Sequence, residues 1–253
     1  MVGSGEKLLP ISSELFLDSG AYSAWSKGVK IKIHKYISFI KNNKDIINHY
    51  ATLDVIGDPV RTEENTKTME ANGLSPLPVF HYKEDISYLK KLLDKYEYIC
   101  LGGMVPISNK QLIYWLDDIW GKYLTDEEGK AKIKVHGFGQ TSIRLMKRYP
   151  WYSVDSTSWV RPGSFGSVAF NVGTYSKIAV TIESLHHPDS YYKLKPHDKN
   201  NFLNHLEKMN YNLTDLQSSY KYRHMYNIES MLDLCKNIEG NKITFQRQQL
   251  SFI

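Results

Sequence analysis

The sequence predicts an α/β fold in which a parallel sheet closes into a (β/α)8 TIM-like barrel. Short apolar runs alternate with amphipathic segments through the first two-thirds of the chain, a pattern typical of strands joined by crossover helices. Several runs end in a polar or glycine-containing motif, and a barrel gathers such residues from many strand ends at one mouth. A doubly wound sheet would concentrate them at one switch point, and the chain has no G-x-G-x-x-G or P-loop motif.

The apolar runs and the segments between them predict the individual elements. We expect buried strands at residues 15–17, 50–56, 77–81, 98–101, 133–135 and 152–154. Apolar side chains at helical spacing predict amphipathic helices at residues 61–72, 86–96 and 111–123. Weaker strands follow a glycine-rich stretch, at residues 168–170 and 178–181, and the chain looks helical from about residue 201. We therefore predict one domain over residues 1–253, an irregular barrel with a mainly helical extension at about 186–253.

The composition excludes several classes of protein. The chain has 253 residues, 42% of them hydrophobic and 13% aromatic, which is inconsistent with intrinsic disorder. Two cysteines, Cys100 and Cys235, cannot build a disulfide scaffold or a zinc site of four thiolates. No run approaches the ~20 apolar residues of a membrane-spanning helix, and the N-terminus lacks the apolar core of a secretory signal. We expect a cytoplasmic protein without a membrane partner.

The excess of basic over acidic residues in the chain permits a polyanionic partner. The net charge is +5, and residues 27–44 carry six lysines and no acidic residue. Such a run is also the ordinary composition of a solvated helix face. Trp159 and Arg161 follow Asp155 closely, where they could stack on a nucleotide or clamp it.

Three aspartates, Asp18, Asp54 and Asp155, each follow a predicted strand directly. One interpretation is that each caps the following helix. The other is that they face one cavity and perform chemistry at a sugar C1′. One carboxylate then attacks as the nucleophile while a second moves the proton, and a third can read donor groups on a base edge.

Glycine and histidine motifs follow the remaining strands. Gly102 and Gly103 predict either a tight turn or a surface where a flat ligand lies against bare backbone. His136 and Gly137 open a short turn that only superficially resembles a phosphate-binding loop. No histidine or cysteine spacing predicts a metal site.

In chain order, these motifs resemble those of the tRNA-guanine transglycosylase superfamily, over about residues 15–160. The resemblance is greatest to short relatives from phages and DNA-modification clusters, the 7-deazaguanine DNA transglycosylase-like proteins without a zinc site. Residues 18–22 (DSGAY) resemble the family's D-S-G-G-F motif, and residues 101–105 (LGGMV) resemble its G-G-L-A-V turn. Residues 136–139 (HGFG) and 154–156 (VDS) resemble its G-V-G … D-x-F-D-C stretch.

The resemblance implies a role for each matching residue. Asp155 takes the place of the nucleophile, Asp18 that of the general acid/base, and Asp54 that of the residue that reads the guanine edge. The backbone at Gly102 and Gly103 would contact the bound base. No cofactor or metal is implied.

The chain also departs from the family pattern. It lacks the C-x-C-x-x-C … H zinc site that helps to hold tRNA, and His81 stands where a glutamine usually touches the base. Residues 156–160 (STSWV) replace the family's C-V-x-P-T-R run. These differences favour DNA, or an RNA other than tRNA, as the substrate.

The sequence therefore predicts a glycosyltransferase that replaces guanine in nucleic acid with a free 7-deazaguanine-type base through a covalent aspartyl-glycosyl intermediate. A duplex substrate would present its base flipped out, and Trp159 or Tyr22 could offset the unstacking by stacking on a base. Two alternatives stay open. Water could resolve the same intermediate, as in a glycosidase or nucleosidase, or the protein could be a catalytically silent binder of a nucleotide or base.

Overall fold

The computed structural model describes residues 14–140, 142–155, 157–172, 175–239 and 243–246. Ser156, which is part of the motif after Asp155, lies outside these ranges. The described residues form two compact units. The first comprises those within Met1–Phe138 together with Trp151–Val154, and the second comprises Gly139–Pro150 with those within Asp155–Gln246.

A parallel sheet runs through the first unit, and its strand order follows the chain. The strands are β1 (Phe16–Leu17), β2 (His49–Tyr50), β3 (Val79–His81), β4 (Tyr98–Gly102), β5 (Lys134–Gly137) and β6 (Ser153–Val154). Neighbours pair in parallel from β1 to β2 and from β3 through β6. A single parallel bridge between Ala51 and Leu77 continues the order from β2 to β3. The parallel sheet with intervening helices confirms the predicted α/β class.

Five α-helices are described in the first unit, and three of them begin at a capping side chain. They are α1 (Ala21–Ser26), α2 (Ile33–Asn42), α3 (Pro59–Ala71), α4 (Ile86–Leu93) and α5 (Asn109–Ile119), and a π-helical turn, Trp120–Leu124, continues α5. The side chains of Asp58, Asp85 and Ser108 accept hydrogen bonds from the first-turn backbone of α3, α4 and α5. Pro59 occupies the first turn of α3, where its missing N–H costs nothing.

Side chains from five consecutive strands and their extensions meet on one side of this sheet. Ala51, Val79 and Cys100 are buried there, and Phe16 and Phe138 pack against them. The ring of Phe16 in β1 also stacks on that of His136 in β5, with the centroids 4.3 Å apart. The sheet therefore curves strongly, because β1 and β5 are not neighbours in the strand order. A second cluster joins α2 and α3 to the chain after β2: Tyr36, Ile37, Ile40, Leu53 and Met69.

Among its described residues, the second unit has an antiparallel pair of strands and five α-helices. These elements are α6 (Ile143–Met146), α7 (Val160–Ser164), β7 (Ser167–Val172), β8 (Tyr175–Ala179), α8 (Pro196–Lys208), α9 (Leu213–Ser218) and α10 (Tyr220–Glu239). Phe170 of β7, Ile178 of β8, Phe202 of α8, Leu216 of α9 and Tyr226 of α10 share one core. The helical character expected after residue 186 thus resides in α8, α9 and α10.

The strand predicted at residues 50–56 is much shorter in the structure. β2 ends at Tyr50, and only the Ala51–Leu77 bridge and a bond from Thr52 N–H to the Leu77 carbonyl extend the pairing. The Asp54 N–H turns back to the Thr52 carbonyl (2.9 Å), which closes a three-residue turn. The apolar run therefore continues beyond the strand because Leu53 packs against α2 and α3.

Among the helices of the described ranges, none has the length and apolarity needed to cross a membrane.

Candidate functional site

Asp54 joins the ends of three neighbouring strands through its two carboxylate oxygens. Ser19, two residues after β1, donates from Oγ to Asp54 Oδ1 at 2.7 Å. The last residue of β3, His81, places Nε2 2.9 Å from Asp54 Oδ2. The Asp54 side chain is only 8% exposed, so both contacts lie in a largely water-free environment. The structure thus brings together Asp54 and His81, two of the residues predicted to bind the substrate, and their contact with a base stays a prediction.

Glu84 completes the arrangement on the far side of the imidazole. Its Oε1 lies 2.9 Å from His81 Nδ1, and its Oε2 accepts the His81 backbone N–H at 3.0 Å. A tight turn makes this possible, because Lys83 adopts a positive φ of 64° and the Glu84 N–H bonds back to the His81 carbonyl. Glu84 was not predicted from the sequence. The one signal that could have found it is its spacing, three residues after a histidine that ends a buried strand.

The electrostatics of this network favour a charged imidazole. Burial alone lowers the pKa of His81, but hydrogen bonds to Asp54 and Glu84 and the charges of both outweigh it and raise the pKa to about 9. A doubly protonated imidazole has two N–H donors, one for each carboxylate. At neutral pH, His81 is therefore a cation between two buried carboxylates. We call the four residues Ser19, Asp54, His81 and Glu84 the strand-end network.

This network predicts that stability falls at alkaline pH. The pKa of His81 rises from its ordinary 6.5 to about 9 on folding, so its contribution is fully present below about pH 6.5 and is lost as the pH rises through 9. The shift corresponds to a contribution of up to about 3 kcal/mol. Urea unfolding at pH 6.5, 8 and 9.5 should show this loss in the wild type and not in His81→Gln. Equal pH slopes in the two proteins would contradict the assignment.

Gly102 and Gly103 provide space for the strand-end network and for the turn that follows β3. A Cβ on Gly102 would lie 3.0 Å from His81 Cδ2 and 3.2 Å from Val79 Cγ1. Gly103 has a φ of +68°, and a Cβ there would lie 3.1 Å from the Tyr82 backbone nitrogen. The glycines thus allow β4 to approach the imidazole and the next turn closely. Direct contact of their backbone with a base stays a prediction.

Asp18 directly follows β1, and Tyr22 is the second residue of α1. Asp18 is exposed and its Oδ1 accepts the Gly20 N–H at 3.2 Å, while the next residue, Ser19, belongs to the strand-end network. The ring of Tyr22 is half-exposed on α1, with its centroid 6.0 Å from that of Trp25. Asp18 therefore directly precedes the network residue Ser19 in the chain, and the rings of Tyr22 and Trp25 on α1 are accessible.

None of the three strand-end aspartates is the N-cap of the next helix. The N-cap residues of α1, α3 and α7 are Gly20, Asp58 and Trp159. The capping interpretation of Asp18, Asp54 and Asp155 is therefore wrong, since other residues hold these positions. Asp54 is committed to the strand-end network instead.

His136 and Gly137 are buried within the sheet of the first unit. His136 Nδ1 lies 2.7 Å from Ser153 Oγ on β6, and its ring packs between Phe16 and Phe138. Gly137 pairs with Leu101 and Val154 on the two neighbouring strands. Both residues thus shape the inner side of the sheet, and a contact with substrate stays a prediction.

The remaining predicted residues, Asp155, Trp159 and Arg161, belong to the second unit. Gly139 donates its N–H to Asp155 Oδ1 at 2.8 Å, which ties the carboxylate to the start of the preceding turn. Trp159 is partly buried and packs edge-on against the ring of His224, with centroids 5.8 Å apart. Arg161 is exposed on α7. The contact with His224 shows that α10 supports the segment after Asp155.

Polar side chains along one face of α10 fix this segment. Asn227 donates from Nδ2 to the Trp159 carbonyl (2.9 Å) and accepts the Ala169 N–H at Oδ1 (2.7 Å). The guanidinium of Arg223, which is buried, donates to the carbonyls of Gly163 and Leu216 at 2.7 Å each. α10 therefore holds α7 and β7 in place rather than forming a separate appendage.

Asn227→Ala is expected to destabilise the second unit. Asn227 is fully buried, and its removal leaves the Ala169 N–H and the Trp159 carbonyl without these partners. Unpaired buried groups cost about 1–3 kcal/mol each, and because both of these hydrogen bonds are only part-buried, we expect a total loss of about 2–4 kcal/mol. Thermal unfolding beside the exposed-site variant Asn237→Ala provides the comparison. Equal midpoints for the two variants would show that the hydrogen bonds of Asn227 contribute no stability.

Comparison with known proteins identifies no family. No protein-family model matches the chain, and no curated protein resembles it significantly in sequence. The resemblance to the transglycosylases therefore stays a prediction that rests on the short sequence motifs. Within the described ranges, no group of three or more His, Cys, Asp or Glu side chains is arranged to hold a metal ion.

Proposed function

We propose that the protein is a base-exchange transglycosylase that replaces guanine in nucleic acid, with DNA favoured over tRNA, by a 7-deazaguanine-type base. The observation that carries this proposal is the strand-end network, a buried aspartate held by Ser19 and His81 at the ends of adjacent parallel strands. Polar side chains in such a place are typical of the reactive mouth of a TIM-like barrel. The curvature of the sheet from β1 to β5 supports a barrel as the architecture.

The chemistry begins with attack of the Asp155 carboxylate on C1′ of the target nucleotide. The bond from C1′ to the base nitrogen breaks, a glycosyl ester forms on Asp155, and Asp18 delivers a proton to the departing base. In the second half, Asp18 takes a proton from the incoming base, which attacks C1′ and releases the Asp155 carboxylate. Microscopic reversibility lets one acid/base serve both halves.

Base recognition falls to the strand-end network and the neighbouring backbone. Asp54 supplies acceptor oxygens for the ring N–H and amino groups of a guanine-type edge, and each oxygen keeps a second lone pair beside its bond to Ser19 or His81. His81 and Glu84 hold this carboxylate in one orientation. Pre-orientation of this kind lowers the entropic cost of binding a planar base.

The polynucleotide itself would be held by cations and aromatic rings. The lysine run at residues 27–44 and the exposed Arg161 suit phosphates, and Tyr22 and Trp159 suit stacking. No cofactor takes part in the proposed steps.

A labelled-base exchange assay tests this function. The purified protein is incubated with radiolabelled guanine or a 7-deazaguanine base and, in parallel, with guanine-containing duplex DNA, single-stranded DNA or tRNA. We expect label to enter DNA and not tRNA. Release of free guanine with no label incorporated would indicate a hydrolase, and no release or incorporation with any polymer would indicate a silent binding protein.

A further inference from the structure

A cleft of about 360 Å³ lies in the first unit beside Asp54, on the side of α1 and the start of α3. Its lining includes Trp25 on α1, Lys30 and Ile31 in the loop after it, and Asp54, Arg61 and Asn65. Tyr22, which the sequence singled out for stacking, is not part of the lining. We call this cavity the Trp25 cleft.

The walls of the Trp25 cleft expose apolar and aromatic surface to water. Trp25 is 60% exposed, and Val29 and Ile31, which also line the cleft, are exposed as well. All three residues lie within the short segment 25–31. The bond from the Val29 N–H to the Ala24 carbonyl keeps this segment close to the last turn of α1. A broad aromatic face beside a cavity is the surface on which a planar heterocycle stacks.

Two cationic side chains line the same cleft from different elements. Lys30 lines the cleft from the loop after α1, within the run 27–44 that contains no acidic residue. Arg61 lines it from α3, and within the described ranges its close carboxylate partner is Asp58 at 3.4 Å, an exposed pair of the kind that contributes little. The cleft therefore combines a stacking surface with two charges that attract an anion.

Asp54 lines the cleft but adds little accessible charge to it. Its side chain is only 8% exposed, and it shares the His81 cation with Glu84, so the one net negative charge of these three groups is largely buried. The Asn65 side chain donates to the Leu53 carbonyl at 2.7 Å and so fixes the floor beside it. The exposed charged side chains that line the cleft, Lys30 and Arg61, are both positive.

From these features we propose that the Trp25 cleft binds one nucleotide of a nucleic-acid strand, with its base stacked on Trp25 and its phosphate held by Lys30 and Arg61. The role of this nucleotide as a neighbour of the exchanged base rests on the proposed function. The cleft thereby positions the strand, and Asp54 belongs both to the lining of the cleft and to the strand-end network. Trp25, Lys30 and Arg61 are binding residues in this arrangement and take no part in the bond changes.

Binding to a short oligonucleotide tests the proposal without any turnover. All measurements use Asp155→Asn protein and a fluorescein-labelled single-stranded DNA octamer that contains guanine, followed by fluorescence anisotropy. We expect Trp25→Ala to weaken binding by about 10-fold or more, since removal of one stacking ring has effects of this size. Tyr114→Ala, which removes an exposed ring outside the cleft, should bind as the parent does.

The salt dependence separates phosphate binding from stacking. The double variant with Lys30→Ala and Arg61→Ala should bind more weakly and should lower the slope of log affinity against log salt by about 0.7 for each phosphate that is no longer neutralised. Trp25→Ala should leave that slope unchanged. Parental affinity in Trp25→Ala, or a parental slope in the double variant, would overturn the nucleotide site. These measurements record binding and not turnover. They can therefore support the nucleotide site even if the wild type exchanges no base, and they can overturn it even if base exchange is observed.

Discussion

Replacement of Asp155 by Asn is expected to lower the rate of base exchange by about 10³-fold or more and to leave the fold intact. The amide carbonyl can still accept the Gly139 N–H that Asp155 Oδ1 accepts at 2.8 Å, so the local turn keeps its hydrogen bond. The amide is, however, a much weaker nucleophile than the carboxylate, and removal of a nucleophile causes losses of at least this size. Label incorporation into DNA at saturating base measures the effect.

The control for this experiment is Asp233→Asn, which neutralises an exposed aspartate on α10 of the same unit. It should exchange bases at the wild-type rate. Circular dichroism and thermal unfolding of both variants check the fold. Exchange by Asp155→Asn within ten-fold of the wild type would exclude Asp155 as the nucleophile.

His81→Ala is expected to lower the free energy of unfolding more than Asn227→Ala does. The change removes the cation between Asp54 and Glu84, whose side chains are each only 8% exposed, and leaves two buried carboxylates without it. Removal of one partner from a buried ionic network costs about 3–5 kcal/mol. Urea unfolding at pH 7 should show a loss of this order in the free energy of unfolding.

Two further variants make this result specific. His34→Ala removes an exposed histidine from α2 and should change stability by less than about 0.5 kcal/mol. His81→Gln keeps a hydrogen-bond donor for one carboxylate and should remain folded with an intermediate loss. If His81→Ala were as stable as His34→Ala, the charged network would not contribute as described.

The α/β class could be predicted from the sequence because apolar runs of strand length alternate with amphipathic segments. Five of the six predicted strands of the first unit match β1 and β3 to β6 closely, and α3, α4 and α5 overlap their predicted ranges. The run after Tyr50 misled the prediction, because Leu53 is buried by helix contacts rather than by strand pairing. Apolar periodicity reports burial and does not say which partner covers a residue.

Part of the candidate site was also accessible from the sequence. Asp54 and His81 could be named because each follows an apolar run, and the structure joins them at 2.9 Å. Glu84 and Trp25 could not be named, since the tight turn at Lys83 and the position of the cleft depend on backbone conformation. The support that α10 gives to α7 spans more than sixty residues of chain and leaves no local pattern, as the Asn227–Trp159 contact shows.

Direct detection of the glycosyl-enzyme is the most decisive measurement. The protein is mixed with a guanine-containing DNA strand without free base, denatured, digested and examined by mass spectrometry. We expect one adduct, the abasic strand linked to the peptide that contains Asp155, absent from Asp155→Asn and discharged by a 7-deazaguanine base. An adduct on another residue, or base exchange without any adduct, would contradict the mechanism proposed for this protein.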